Sequence, residues 1–555
     1  MARRKTTRRK TRLSTDFYKS GEGPVVRPTS RNLQEITASE LTSRFGANPS
    51  REKLRVTRFP VSMEEFSKLK SRAEKAEPRR AARAAKESLA QEDKVADTTA
   101  RAAAAAEAEE LPEMGMLGRE ALAPGLVASF AGIQQTAFRP PDCTIAAGNN
   151  EVVVGVNTTM AIYSKSGTLN STFGFDSLFS PVIPAGARIF DPKIVYDHYS
   201  QRWIITIDST RANPQGAWIL VAASQTSNPS GSYWLWALDA TQDGSIVTNN
   251  WADYSQLGFD TQGVYITNNM FQFNGGFQYV KVRILNKSEL YTGSALRWYD
   301  FWDLRNPDGS LAFTVQPAVH YRGIGGNPPA YLVNALWPSG NTLTLWTLTN
   351  PLGHWGVGGG PPSLSRRAIN CLDYDLAPDG EQRDSPTIRI ETNDDRLLDA
   401  LYQHSATGEH RLWTCHTTRY TWPGDTTSVS VVQWYEIDII NNNVVQQGRF
   451  GARGTYYFFP AIQTNINRDA FIVFGRSSAN EYGRLRHTGR RSTAAPGTLE
   501  GSTLIKEGES EYTGQRWGDY FGICRDPTDP SCVWMNGEYA ESGNTWGTWT
   551  CSVKY

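Results

Sequence analysis

Residues 251–269 read WADYSQLGFDTQGVYITNN, and residues 517–539 read WGDYFGICRDPTDPSCVWMNGEY. Both open on Trp-x-Asp-Tyr (Trp251, Asp253, Tyr254; Trp517, Asp519, Tyr520). Each then carries an apolar residue three further on (Leu257, Ile523) and an Asp three beyond that (Asp260, Asp526). A polar turn follows, then a strongly apolar strand. Five more stretches repeat this unit: CTIAAGNNEVVVGVN (143–157), KIVYDHYSQRWIITID (193–208), HYRGIGGNPPAYLVNAL (320–336), LLDALYQHSATGEHRLWTCH (397–416) and AIQTNINRDAFIVFGRS (461–477). Their second strands begin near Val152, Trp203, Val264, Ala330, Leu412, Phe471 and Val533, at intervals of 51, 61, 66, 82, 59 and 62 residues.

A near-regular period of this size, with a few short strands per unit, is the signature of a β-propeller, in which no unit buries both its faces without its neighbours. The fold expected is therefore all-β, a seven-bladed β-propeller; the long interval before Leu412 leaves six or eight blades as alternatives. The chain ends in a strand, TWTCSVKY, and GLVASFAGIQQTAF (125–138) is the segment expected to complete the last blade.

The preceding residues differ in kind. Residues 1–125 hold 26 Lys+Arg against 18 Asp+Glu, about +8, which leaves the remainder about −7 within a formal net charge of +1. No Trp precedes Trp203. Three segments follow: residues 1–60 as a basic, largely disordered arm, 61–117 as an Ala/Glu/Arg-rich helical spacer, and 118–555 as the propeller. Ser62 stands three residues before Glu65, a capping-box spacing that predicts a helix start. Arg3, Arg4, Lys5, Arg8, Arg9, Lys10 and Arg12 form a cluster suited to nucleic acid or another anionic surface, or to no dedicated partner. No apolar run follows this cluster, so no secretory signal is expected, and no stretch is apolar enough to span a membrane.

Several chemistries lack their signatures. GVGGGPP (356–362) is not followed by Lys-Ser/Thr, so it does not read as a phosphate loop. The seven His form no HExxH, and no Ser has a GxSxG context. The six Cys (143, 371, 415, 524, 532, 551) suit isolated thiols, with a Cys524–Cys532 bridge as the alternative.

The phrases PPDCTIAAGNNEVVVGVN, FDPKIVYDHYSQRWIITI, TNDDRLLDALY, YYFFPAIQTNINRDAFIVF and RWGDYFGIC resemble a family of bacterial, mostly secreted β-propeller proteins without a settled activity, near the sialidase-like propellers. The resemblance covers residues 125–555 and implies the propeller fold and secretion. Through the sialidase kinship it also implies glycoside hydrolysis as an activity to weigh. That chemistry needs an Arg cluster, a Tyr–Glu pair and an Asp acid–base; Arg188, Arg396, Arg476, Arg516, Tyr457 and Glu538 are the available groups, with no spacing that singles out a set. YAESGNTW (539–546) resembles the Asp-box of that fold, with Glu541 where the Asp belongs.

Aligning the units places Asp142, Asp191, Asp253, Asp395 and Asp519 just before the first strand of five blades, with His320 near that place in a sixth. These six residues are the expected ligand-binding ring at one mouth of the channel. Convergent carboxylates repel unless compensated. Either some of them bind a hard cation such as Ca2+ or a cationic or hydroxyl-rich ligand, or each braces the next blade through backbone N–H groups. The functional expectation is a non-enzymatic binding or scaffolding module for a glycan or protein, with no obligatory cofactor. The alternatives are a sialidase-like glycoside hydrolase and an assembly protein whose Arg-rich arm binds nucleic acid.

Overall fold

The structure, a computed structural model, describes residues 17–36, 59–73, 123–321, 329–514 and 516–555. Its strands form seven blades in a ring, as the repeat implies. Blade one contains Thr144–Ala147, Glu151–Val156, Thr159–Ser164 and Leu169–Gly174. Blade two contains Arg188–Asp197, Arg202–Arg211, Gly216–Ser224 and Ser232–Asp239. Blade three contains Asn250–Phe259, Gly263–Gln272, Phe277–Asn286 and Trp298–Trp302. Blade four contains Gln316–Pro317, Ala330–Ala335, Ser339–Thr349 and Ser363–Asp375. Blade five contains Leu397–His404, His410–Tyr420, Val429–Asp438 and Asn443–Phe450. Blade six contains Thr455–Thr464, Ala470–Ser478, Glu481–Arg490 and Thr503–Lys506.

Blade seven closes the ring with distant sequence. Gly522–Arg525, Val533–Glu541 and Thr545–Lys554 are completed by Gly125–Gln134, which runs antiparallel to the C-terminal strand with Gly125 opposite Lys554 and Phe130 opposite Thr550. The ring is thus closed by backbone hydrogen bonds between the segments expected to meet, and no blade is left incomplete at the seam.

Trp203, Trp236, Trp298, Trp346, Trp413, Trp434, Trp517 and Trp546 are among the largest fully buried side chains. They act as apolar fillers, which settles the reading of SYWLWALD and RWYDFWDL in favour of packing for Trp236 and Trp298. Closely packed backbones leave no room for a Cβ at some sites. One built on Gly258 would lie 2.7 Å from the Pro317 carbonyl oxygen of the next blade.

Within the arm expected to be largely disordered, the described residues 17–36 carry two short strands. Thr29–Asn32 adds a fifth strand to the outer edge of blade two, pairing Asn32 with Ser232 and Thr29 with Leu235. Lys19–Glu22 does the same on blade three, with Lys19 opposite Trp302. Leu33 is buried against blades one and two, and the Tyr18 ring packs edge-on at 4.9 Å from Phe301. Edge-strand addition is driven by main-chain hydrogen bonds, so a segment poor in large apolar residues can still be ordered by it. The helix Met63–Ala73 begins where the capping-box spacing places it, and Ser62 Oγ accepts from the Glu65 amide at 3.2 Å. Arg3, Arg4, Lys5, Arg8, Arg9, Lys10 and Arg12, and the spacer beyond Ala73, lie outside the described residues. Among the described residues no helix is long and apolar enough to cross a membrane. All six cysteines are free thiols, Cys524 and Cys532 included.

Candidate functional site

The inner strands share a bend. Asp142, Asp191, Tyr254, Thr314, Phe459 and Asp519 all have φ between 48° and 58°, the left-handed region that non-glycine residues rarely adopt. In four cases a polar side chain on, or immediately after, the second strand of the preceding blade fixes the bend. The Asp191 amide donates to Asn157 Oδ1 (2.8 Å) and the Thr314 amide to Asn269 Oδ1 (2.8 Å). The Phe459 amide donates to Thr417 Oγ1 (3.0 Å), and the Ser255 amide, beside Tyr254, to Asp208 Oδ2 (3.1 Å). Asn157, Asp208, Asn269 and Thr417 are therefore the repeated braces, and the sequence reading missed them. Three of the four stand six residues after the first residue of their strands (151, 202 and 263), a spacing that would have found them.

The expected ring divides into groups. Asp142, Asp191 and Asp519 converge: Asp519 and Asp191 disfavour the charge on Asp142, and Asp519 disfavours that on Asp191. Burial, then Asp519 and Asp191, holds the Asp142 carboxyl well above its ordinary range. Burial, then Asp519, raises Asp191 to about 6. Asn157 donates its side-chain amide to Asp142, Asp191 Oδ2 accepts from the Tyr254 amide (3.0 Å), and Arg516 pairs with Asp519 at 2.7 Å. Burial opposes the Arg516 charge, yet Asp519, Glu391 and Asp142 together raise it above its ordinary value. The raised Asp142 carboxyl, which favours its neutral form, and the Arg516 charge thus counter the repulsion that the sequence raised.

Asp253 is not placed as Asp519 is. In WADY the left-handed residue is Tyr254, whereas in WGDY it is Gly518 and Asp519 that are left-handed, so the bend falls earlier in the second phrase. Asp395 lies in a separate buried environment, raised well above its range by burial, Asp394 and Asp375. Its main-chain oxygen meets His416 Nδ1 at 2.7 Å. His320 is not at this mouth. The inner strand of blade four is Gln316–Pro317, and Val319–Tyr321 has already crossed to pair in parallel with Leu401–Gln403 of blade five. His320 is buried, held at about 4 by burial, and its ring packs against Tyr331 and Tyr402. His320 heads the repeat unit HYRGIGGNPPAYLVNAL, but in this blade the segment before the second strand crosses to the next blade.

The cavity lies toward the other end of the inner strands. A chamber of about 320 Å³ occupies the channel and reaches the first hairpin turns, including Asn149, Gln201 and Asp526. Its walls include Thr144, Lys193, Gln256, Gln316 and Phe521, each two residues beyond a left-handed bend, because alternate strand residues share one face. Asp399 and Arg525 join them from blades five and seven. Burial lowers Lys193 to about 8, opposed first by Asp399, and its ammonium sits 3.1 Å from the Tyr520 ring centroid. Burial raises Asp399 to about 7, while Lys193 and the amides of Ala400 and Ile462 favour its charge. Tyr321, stacked on His198 with ring centroids 5.0 Å apart, adds an aromatic wall.

Among the described residues no group of three or more His, Cys, Asp or Glu is arranged to hold a metal ion. Of the groups weighed for glycoside hydrolysis, Arg396, Arg516 and Glu538 each interact electrostatically with Asp519. Arg396 is paired with Asp394 (2.7 Å), Arg476 with Glu481 (2.7 Å) beneath Tyr457, and Arg188 is exposed. Glu538 is buried and raised well above its range, first by burial, and accepts from the Gly518 amide at 2.7 Å. The YAESGNTW stretch forms the hairpin turn between Val533–Glu541 and Thr545–Lys554.

No family model matches the chain, and no curated protein does. Several solved structures align at low identity. A protein of unknown function from Dyadobacter fermentans is 9% identical over 78% of this chain and 99% of its own, with a TM-score of 0.34. The α-L-arabinofuranosidase Arb93A from Fusarium graminearum is 10% identical over 67% of this chain and 96% of its own (TM-score 0.30). A Trypanosoma rangeli sialidase is 10% identical over 78% of this chain and 60% of its own (TM-score 0.33). At these values the likenesses carry no argument about activity, and the fold rests on the strand topology itself: this chain is a seven-bladed β-propeller.

Proposed function

We propose that this propeller is a non-enzymatic binding module that takes a hydroxyl-rich ligand, a short glycan, in the central chamber from the face bearing the first hairpin turns. The observation that supports it is the chamber wall: side-chain amides (Gln256, Gln316), an ammonium (Lys193) and a guanidinium (Arg525) interleaved with aromatic rings (Phe521, Tyr321). Convergent polar groups on an aromatic lining orient a polyhydroxylated ligand, and positions on rigid inner strands need little reorganisation to do so. A protein loop presenting hydroxyl and amide groups satisfies the same wall. The family resemblance, with its implied secretion, is compatible with an extracellular glycan.

A glycan array probed with the full chain, followed by mass spectrometry of the bound spots, tests this reading. Retention on unaltered glycans supports it, and a blank array refutes the glycan. Shortened glycans would instead support the second reading, a sialidase-like glycoside hydrolase. Asp399, a carboxyl raised to about 7 inside the chamber, is the observation that favours that alternative. The assembly reading, in which the basic arm engages nucleic acid, rests on composition alone.

A further inference from the structure

The other mouth of the channel carries a second feature. The helix Met63–Ala73 packs there against blades four and five. Phe59 and Phe66 stack with centroids 3.6 Å apart and are buried with Leu376, while Val61, Leu69 and Trp337 pack around them. Phe59 also lies against the Arg396 guanidinium (5.7 Å), whose other neighbours are Tyr254 (4.4 Å) and Phe313 (4.9 Å). At its far end, Arg419 donates to the Ala73 carbonyl at 3.3 Å.

At the centre of this contact Lys70, 8% exposed, inserts its ammonium among four oxygens of the propeller. They are the carbonyls of Ala377 (2.6 Å) and Asn393 (2.8 Å), the Thr392 hydroxyl (2.9 Å) and the Asp379 carboxylate (2.8 Å). All four belong to residues 377–393, and three of those residues are buried. A compact ammonium with three rotatable donors suits this convergence, whereas a planar guanidinium fork does not. The segment that fills the socket is not part of the ring, and the chain on both sides of it (37–58 and 74–122) lies outside the described residues.

We infer that the oxygen socket formed by Ala377, Asp379, Thr392 and Asn393 is a recognition site for a primary ammonium, the side chain of a lysine, and that Lys70 fills it as an intramolecular ligand. When the helix withdraws, the socket accepts a lysine presented in the same way. Withdrawal also lifts Phe59 from Arg396 and uncovers the mouth at Tyr254.

The test uses the full chain and a fluorescent peptide of residues 59–73. A Lys70→Ala chain is expected to bind the peptide at least about tenfold more tightly than the wild-type chain, whose own helix competes. Acetylation of the peptide's Lys70 is expected to weaken binding at least about tenfold, the scale of a lost buried charge-assisted contact. Adding Asp379→Asn to the Lys70→Ala chain should weaken it similarly. Equal binding of acetylated and unmodified peptide, or no uptake by a Lys70→Ala chain with wild-type thermal unfolding, overturns the inference. Hydrogen exchange provides a second readout that does not need the alanine variant. In a Lys70→Arg chain the amides of residues 63–73 should exchange at least about tenfold faster, with blade amides unchanged; unaltered helix protection overturns the inference as well.

Discussion

Tyr254 Oη donates to the main-chain carbonyl of Asp519 at 3.0 Å, tying blade three to blade seven across the mouth of the channel. Tyr520 Oη reaches the Pro192 carbonyl of blade two at the same distance, and the two tyrosine rings meet edge to face at 5.8 Å. The phrase written twice in the sequence therefore places two tyrosines that bridge blades distant in the chain. Tyr254→Phe keeps the ring against Arg396 but leaves the Asp519 carbonyl buried without this donor. It should lower stability by about 1–3 kcal/mol, read as a fall in denaturant midpoint at constant m-value.

The Asn157 side chain holds three partners at once, accepting from the Asp191 amide and donating to the Pro140 carbonyl (2.9 Å) and the Asp142 carboxyl. Asn157→Ala removes all three bonds in a buried site, so a loss of about 2–5 kcal/mol is expected in chemical denaturation. A loss under about 0.5 kcal/mol would show that the inter-blade clamps are not what holds the inner strands in register.

Asp208 is raised to about 8, first by burial and then by Asp191. Its folded value exceeds its unfolded one, so the folded state binds the extra proton. The stabilising contribution is complete below pH ~4 and is lost as pH rises through about 8. Asp208→Asn removes that dependence while keeping an oxygen for the Ser255 amide. Relative to the wild type, the variant should gain stability as pH rises from about 4 to 8, in parallel melts across that window. A difference that stays flat with pH would place the Asp208 pKa near that of the unfolded chain.

Gly258 faces the Pro317 and Ala318 carbonyl oxygens of the neighbouring inner strand at 2.7 and 2.8 Å from an added Cβ. Backbone cannot swing aside as a flexible side chain would. Gly258→Ala should cost about 1–3 kcal/mol or more and lower the melting temperature, whereas Gly543→Ala, with open space around it, should cost only its left-handed backbone strain.

Lys193 of blade two and Gln316 of blade four both line the chamber. If the chamber is the glycan site, Lys193→Met should weaken retention on the array at least about tenfold without changing the melting profile by more than a few degrees. Deleting residues 1–13 should leave glycan retention intact. It should flatten the salt dependence of any binding to a DNA duplex, since seven fewer cationic contacts release fewer counterions.

The fold could be read from the sequence because a propeller repeats its hydrophobic code. Each second strand, such as EVVVG or WIITI, is a run of apolar residues bounded by turn chemistry, and local pattern suffices to mark it. Counting those runs favours seven blades, which the structure shows, and the strands at 125–138 and the C-terminus supply the seam. The helix start at Ser62 was legible for the same reason: a cap is a local hydrogen bond between residues three apart.

The site was legible only where the channel repeats the same geometry. Asp142, Asp191 and Asp519 share a bend and do converge; Asp253 slips by one residue, and His320 belongs to a strand that has crossed to the next blade. Thr29–Asn32 and Lys19–Glu22 carry no apolar code because their order comes from backbone pairing at sheet edges. Sequence by itself marked the period and the closure and favoured seven blades over six or eight, since these follow from alternation and turns within each unit. Only the tertiary structure decided which side chains face the axis, which carboxyls stay protonated and which lysine fills the oxygen socket. Those properties depend on burial and on charges brought together from blades hundreds of residues apart.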